Sequence, residues 1–258
     1  MNIAREDFFM KPYNKEYILK ILKEYNNAIK DGNKGLYKID RRIFKKKDIH
    51  GYMYKNIEEY NIEIVELLKE DKCVMRIDPR EIESSYEAIC YARGKVGIVG
   101  LGLGYVALEM AKKENVSEVI VYETSQDIID LYMDNFKENK KIKIICTDAF
   151  KADREKFDFF YVDIYNYSLT LKVVKDYKKF MKLHEIEEYS FWGMEHFMLS
   201  CRYEDILWVY VPENWVGMCK DLYTELQSSG YIKRYKPLNE NKVTKILYEF
   251  KEILNSDM

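Results

Sequence analysis

Val96-Gly97-Ile98-Val99-Gly100-Leu101-Gly102-Leu103-Gly104-Tyr105-Val106-Ala107 decides how this chain folds. The apolar run 96–99 has the length and composition of a buried strand, and residues 105–113 return to helical spacing. The glycines between them sit where a strand must turn straight into a helix. Such a turn needs residues without a Cβ where the backbone bends and where a ligand approaches it. N–H groups at the start of the following helix face outward and attract an anionic group. Residues 102–107 also fit a dinucleotide-binding turn, so the run by itself leaves the ligand open.

Downstream, apolar runs at 119–122, 142–146 and 157–162 alternate with helical spacing at 125–136. Mostly apolar strands separated by helices indicate a parallel sheet covered on both faces. Helical patterns then follow at 169–183, 185–200 and 217–228. Further runs at 206–211, 231–236 and 245–250 read as strands, the last two joined as an antiparallel hairpin through Pro237-Leu238-Asn239-Glu240-Asn241. The expectation is an α/β protein with a Rossmann-like, seven-stranded, mostly parallel sheet and a C-terminal antiparallel hairpin over residues 91–258. Upstream, helical patterns at 14–30, 57–69 and 79–93 surround a short mixed tract at 36–54. Residues 1–90 therefore read as a mainly helical cap with a short β element, Pro79 being suited to a first helical turn.

Three acids extend the glycine signal. Glu123 closes the second strand, 19 residues after Gly104; Asp148 and Asp163 close the third and fourth. Ligands of open α/β sheets bind beyond the carboxyl ends of the strands. Each placement is common alone; four successive strands delivering a glycine or an acid to that edge form a specific set. An acid at Glu123 can accept from both ribose hydroxyls of a bound nucleoside.

This stretch resembles the class I S-adenosylmethionine (SAM)-dependent methyltransferase superfamily over residues 94–165, with a compatible tail to 250. The resemblance implies that Gly100, Leu101, Gly102 and Gly104 border the cofactor. It also implies that Glu123 and Thr124 meet the ribose, Asp148 and Ala149 the adenine, and Asp163 the transfer centre. Many members carry an acid where this chain has Ile98. The spermidine-synthase-like branch lacks that acid too, has an N-terminal extension, and keeps a tyrosine-and-acid stretch where this chain has Glu81-Ile82-Glu83-Ser84-Ser85-Tyr86-Glu87. That branch usually has acids where Leu103 and Asn166 stand here.

The implied activity is methyl transfer from SAM to a small-molecule acceptor, an amine being the chemistry the acids suit. Asp163, Tyr165 and Tyr86 are the candidate catalytic residues, and Asp163 with Glu83 would orient a cationic amine. Aminopropyl transfer from decarboxylated SAM, a non-catalytic SAM-binding module and a nicotinamide enzyme remain alternatives. Asp163-Ile164-Tyr165-Asn166-Tyr167 does not match the Asn/Asp-Pro-Pro-Tyr motif of nucleic-acid amino methyltransferases.

Composition narrows the classes. A net charge of -2 over 258 residues argues against a general nucleic-acid binder, although Arg41-Arg42-Ile43-Phe44-Lys45-Lys46-Lys47 would suit phosphate contact. The start of the chain carries acids where a secretory signal has basic and apolar residues, and no apolar run is long enough for a membrane span. Five scattered cysteines read as reduced thiols of a cytoplasmic protein, Cys146 packing in the core. No metal site is expected, since His184-Glu185-Ile186-Glu187-Glu188 lacks a second histidine in register. A homo-oligomer is allowed by the sequence.

Overall fold

The computed structural model describes residues 14–45, 51–54 and 62–256. Two sheets organise them. The first is antiparallel, in the order β1 (Gly32–Lys34), β2 (Tyr37–Phe44), β3 (Ile62–Lys69) and β4 (Lys72–Arg76). The second is wholly parallel, in the order β7 (Ile142–Cys146), β6 (Val116–Glu123), β5 (Gly94–Val99), β8 (Lys156–Val162) and β9 (Glu185–Phe191).

The parallel sheet starts at its centre. From β5 the chain steps outward through α3 (Tyr105–Lys112) to β6, then through α4 (Gln126–Asn135) to β7. It returns to the other side of β5 as β8, in register Val96↔Phe159 to Val99↔Val162. It continues through α5 (Lys172–Leu183) to β9. Successive residues 159–162 of β8 are all buried. Because neighbouring strand side chains point to opposite faces, both faces must be covered. The strand order reverses between β5 and β8, so a ligand crevice opens beyond their carboxyl ends.

Several expectations change here. The parallel sheet has five strands, not seven. Residues 185–191, taken for helix, form β9 because Ile186, Tyr189, Ser190 and Phe191 are buried together against its neighbours. The strand expected at 206–211 does not form: the short helix α7 (Tyr203–Ile206) ends at the first residue of that run and a turn follows. After α6 (Met194–Ser200) and α8 (Glu213–Ser228), no closing hairpin follows. Tyr231–Arg234 is a 3-10 turn, and α9 (Glu240–Leu254) replaces the last strand. Asn239 caps α9 by accepting from the Lys242 N–H, and Val243, Ile246, Leu247 and Phe250 form its buried stripe. Cys146 is exposed on the edge strand β7 and does not pack in the core.

The N-terminal region is as much sheet as helix. Helix α1 (Lys15–Ala28) buries Tyr17, Ile18, Ile21, Leu22 and Tyr25. The expected helix at 57–69 is β3 over its described part, paired with β2 from Tyr37↔Lys69 to Phe44↔Ile62. Its continuous burial from Ile64 to Leu67 requires cover on both faces, which an amphipathic helix would not provide. Helix α2 (Pro79–Tyr91) starts with Pro in its first turn and Asp78 as cap, accepting from the Glu81 N–H. Among the described residues, no helix is long and apolar enough to cross a membrane. Arg41 and Arg42 are engaged locally, Arg41 with Asp31 and Arg42 with Glu66 and the Phe44 ring. Lys46 and Lys47 lie outside the described residues.

Candidate functional site

The turn after β5 fixes the floor of the site. Gly100 has φ +100°, and a Cβ there would lie 2.9 Å from the carbonyl oxygen of Asp163. Only glycine lets the β5 and β8 ends come this close. The Gly104 N–H donates to the Leu101 carbonyl, closing the turn as α3 begins. Glu123, at the end of β6, accepts from the Leu101 N–H at 3.1 Å and from the Ser125 N–H at 2.9 Å. One carboxylate thus ties together the turns that follow two neighbouring strands.

Above this floor lies a cavity of about 260 Å³. Gly100, Leu101, Gly102, Glu123 and Asp163 line it from the parallel sheet, and Tyr37, Leu67, Val74 and Met75 from the antiparallel one. At its far end Glu81, Ile164, Asn166 and Tyr167 complete the wall. Three of the lining residues are acids, and none of the described lining residues is Lys, Arg or His.

Glu81 and Asp163 face this cavity beside a strained stretch of backbone at Asn166 and Tyr167. The Tyr167 hydroxyl donates to Glu81 Oε2 at 2.7 Å, while Glu81 Oε1 is buried without a partner. Asn166 and Tyr167 have φ of +46° and +56°, left-handed conformations that are costly for an aromatic residue. The Arg80 guanidinium lies 4.2 Å from the Tyr167 ring centroid and donates to the Tyr167 carbonyl, holding that backbone in place. Desolvation raises the Glu81 carboxyl well above its ordinary range, and the neighbouring Asp163 charge adds to the shift. Asp163, half-buried in the wall, is pushed up to about 7 by desolvation. The pair is therefore suited to holding or exchanging a proton near neutrality.

The sequence-derived residues separate into three groups. Gly100, Leu101, Gly102, Glu123 and Asp163 meet in the cavity. Gly104, Thr124, Asp148 and Ala149 border the same sheet edge without lining it. Thr124 donates to Glu123 at 3.4 Å, and Asp148 accepts from the Phe150 N–H at 3.1 Å, capping the 3-10 turn that begins at Ala149. Tyr86 and Tyr165 are turned elsewhere. Tyr86 packs edge-on against Tyr17 at 5.9 Å, and Tyr165 sits among Phe191, Tyr189 and Asp176 behind the sheet. Glu83 accepts from the Tyr52 N–H at 3.2 Å, and Glu195 accepts from the Tyr52 hydroxyl at 3.1 Å. His196 bonds to the Lys236 carbonyl.

Glu81 is the acid that the sequence reading passed over in favour of Glu83. Two residues along a helix turn about 200°, so the two acids face opposite ways. Asp78 as N-cap was the signal that would have fixed that phase. Met75 and Tyr37 had no signal: Tyr37 lies in the mixed tract at 36–54, Met75 between two helical patterns, and β3, the strand that joins them into one sheet, falls in a stretch with helical spacing.

No family model matches the chain, and no curated protein matches it. Among solved structures it is similar to the 23S rRNA methyltransferase ErmE, at 16% identity over 43% of this chain and 45% of that one, with a TM-score of 0.35. It is also similar to the spermidine synthase of Thermotoga maritima, at 14% identity over 78% of this chain and 62% of that one, with a TM-score of 0.37. A spermidine synthase in complex with the transition state analogue AdoDATO gives 16% identity over 57% and 50%, with a TM-score of 0.35. The chain spans between 45% and 62% of these three proteins. At such scores the likenesses add no weight to a functional assignment, which rests on the geometry of the sheet edge.

Proposed function

We propose that this chain is a transferase that binds SAM at the carboxyl edge of β5, β6 and β8 and passes its methyl group to a small amine. One observation carries the reading: the glycine turn, Glu123 and Asp163 share a single cavity at the point where the strand order reverses. The residues present suit the cofactor. Glu123 offers a carboxylate for ribose hydroxyls, and Gly100 and Gly102, with φ of +100° and +53°, allow the tight turn that brings the backbone to the cavity. The acid-lined wall suits a sulfonium cation and opposes the pyrophosphate of a dinucleotide, which disfavours the nicotinamide alternative.

When bound, SAM supplies an electrophilic methyl carbon. The chain's own contribution is to align the acceptor and manage its proton. Glu81 Oε1 and the Asp163 carboxylate would hold an ammonium group, and the ionised Asp163 would take the proton that exposes the amine lone pair. Tyr167 holds Glu81 in place through its hydroxyl. Aminopropyl transfer is the second reading. It is favoured by the absence of a basic group among the described lining residues, since decarboxylated SAM lacks the carboxylate such a group would meet.

Calorimetric titration with SAM, S-adenosylhomocysteine, decarboxylated SAM and NAD tests both readings. Micromolar binding of the adenosyl ligands, lost in Glu123→Ala, is the expected result. Binding of NAD alone, or of none of the four, would sink the assignment.

A further inference from the structure

We infer that Met75 is a selectivity residue that sets this site against a cofactor carboxylate. The inference rests on the adenosyl-binding reading above and deepens its second form, aminopropyl transfer, since a site set against the carboxylate takes decarboxylated SAM in preference to SAM.

In a strand-to-helix turn, outward N–H groups are the natural partners of an anion. Here one of them is already occupied. The Leu103 N–H donates to Met75 Sδ at 3.2 Å. The same sulfur lies 2.2 Å from where a Cβ on Gly102 would stand, so the glycine makes room for this thioether. Met75 therefore fills the turn from above, and it lines the same cavity as Glu123 and Asp163.

The position of Met75 is built into the antiparallel sheet. Met75 pairs with Leu67 next to a register shift at Leu67/Leu68. A bulge of this kind re-aims the side chains beside it. The following residue, Arg76, is anchored by Glu66 at 3.3 Å and stacks on the Phe44 ring at 4.8 Å. The thioether is thus held over the turn by the bulge beside it and by the anchored Arg76 that follows.

Charge then decides the consequence. A thioether is a weak acceptor and offers a carboxylate nothing. With Leu103 N–H covered and three acids in the wall, the α-carboxylate of SAM meets repulsion and a blocked donor. A sulfonium or ammonium group meets only favourable charge. Met75 thereby biases the site toward an adenosyl sulfonium that lacks the carboxylate, and its removal frees the donor.

The test is a set of titrations of the full chain and of Met75→Ala with SAM, decarboxylated SAM and methylthioadenosine, which carries neither carboxylate nor ammonium. The expected result is a gain of fivefold or more in SAM affinity relative to decarboxylated SAM, with methylthioadenosine changed by less than about twofold. Met75→Leu, which keeps the bulk, should retain the wild-type ratio. An unmoved SAM ratio in Met75→Ala overturns the role of Met75 while leaving the adenosyl site standing. Equal weakening of all three ligands also overturns it, since that marks a structural residue. If neither protein binds any of the three, the adenosyl reading and this inference fall together.

Discussion

Asp163 and Glu81 hold the chemistry of the proposed site in two side chains. Both carboxyls lose water on folding, and their charges face one cavity, so the neutral form of each is favoured. A base is useful only when ionised, which gives the sign of the pH dependence. Transfer to an amine should rise as pH increases through about 7, where Asp163 titrates. Asp163→Asn should remove that rise and lower turnover by about 10²–10⁴-fold, the range of a lost general base, with cofactor affinity within a few-fold of wild type. Glu81→Gln should leave the rise near pH 7, because Glu81 is held neutral well above its ordinary range and desolvation alone lifts Asp163. A pH–rate profile of the three proteins decides between these outcomes. A rise that persists unchanged in Asp163→Asn would remove Asp163 from the mechanism.

At the scale of elements, what was legible followed periodicity, and what was missed followed turn chemistry. The glycine turn, the strands β5 to β8 and the helices between them were readable because central parallel strands carry unbroken apolar runs, and because each acid marks a strand end. The β3–β4 hairpin was not. Its turn is Glu70-Asp71, with φ of +47° and +63°, a two-residue connection that asparagine and glycine normally announce. Without that signal, Ile62-Glu63-Ile64-Val65-Glu66, whose two acids stand three apart, joined a helical pattern, and the roof of the site disappeared with it. The final hairpin failed for the opposite reason. Tyr248 and Phe250 looked like strand residues, but Asn239 as cap starts a helix there. The strained hairpin gives a test. Glu70→Asn with Asp71→Gly relieves two left-handed side chains and should stabilise the protein by about 1 kcal/mol. Thermal unfolding should show a rise of about 2–4 °C. A fall would mean that these side chains stabilise the hairpin more than their backbone strain costs.

Across the whole molecule, the N-terminal region is joined to the parallel sheet by buried polar contacts as well as apolar packing. The Tyr25 hydroxyl of α1 donates to Glu109 of α3 at 2.6 Å, and Lys112 bridges Glu109 and Glu24. On the other side, residues 51–54 lie between α2, α6 and the strand-like stretch at 235–236. Tyr52 joins Glu83 to Glu195, Tyr54 pairs with Tyr235, and the Lys236 N–H donates to the Met53 carbonyl. Desolvation raises Glu83 to about 8 and Glu195 to about 7. Their folded-state values lie above those of the unfolded chain, so the native state keeps protons that the unfolded state releases. Stability must then fall as pH rises toward 8. Burial depresses His184, and depresses His196 to about 4, which makes stability fall on the acid side instead. Between pH 6.5 and about 7.5 the histidines still release protons from the unfolded chain, and burial lowers Lys113 to about 8. These opposing groups are outweighed by the raised carboxyls of Glu83, Glu195, Glu81 and Asp163. The melting temperature should therefore decline between pH 6.5 and 8.5. Glu83→Gln and Glu195→Gln mimic the protonated acids, so each should flatten that decline and raise the melting temperature at pH 8.5 by about 2–4 °C, a gain on the order of 1 kcal/mol. At pH 5, where the wild-type acids already carry their protons, the same substitutions should change it little. Equal effects at both pH values would assign the contact to packing and take the buried protons out of the balance between the two halves of the molecule.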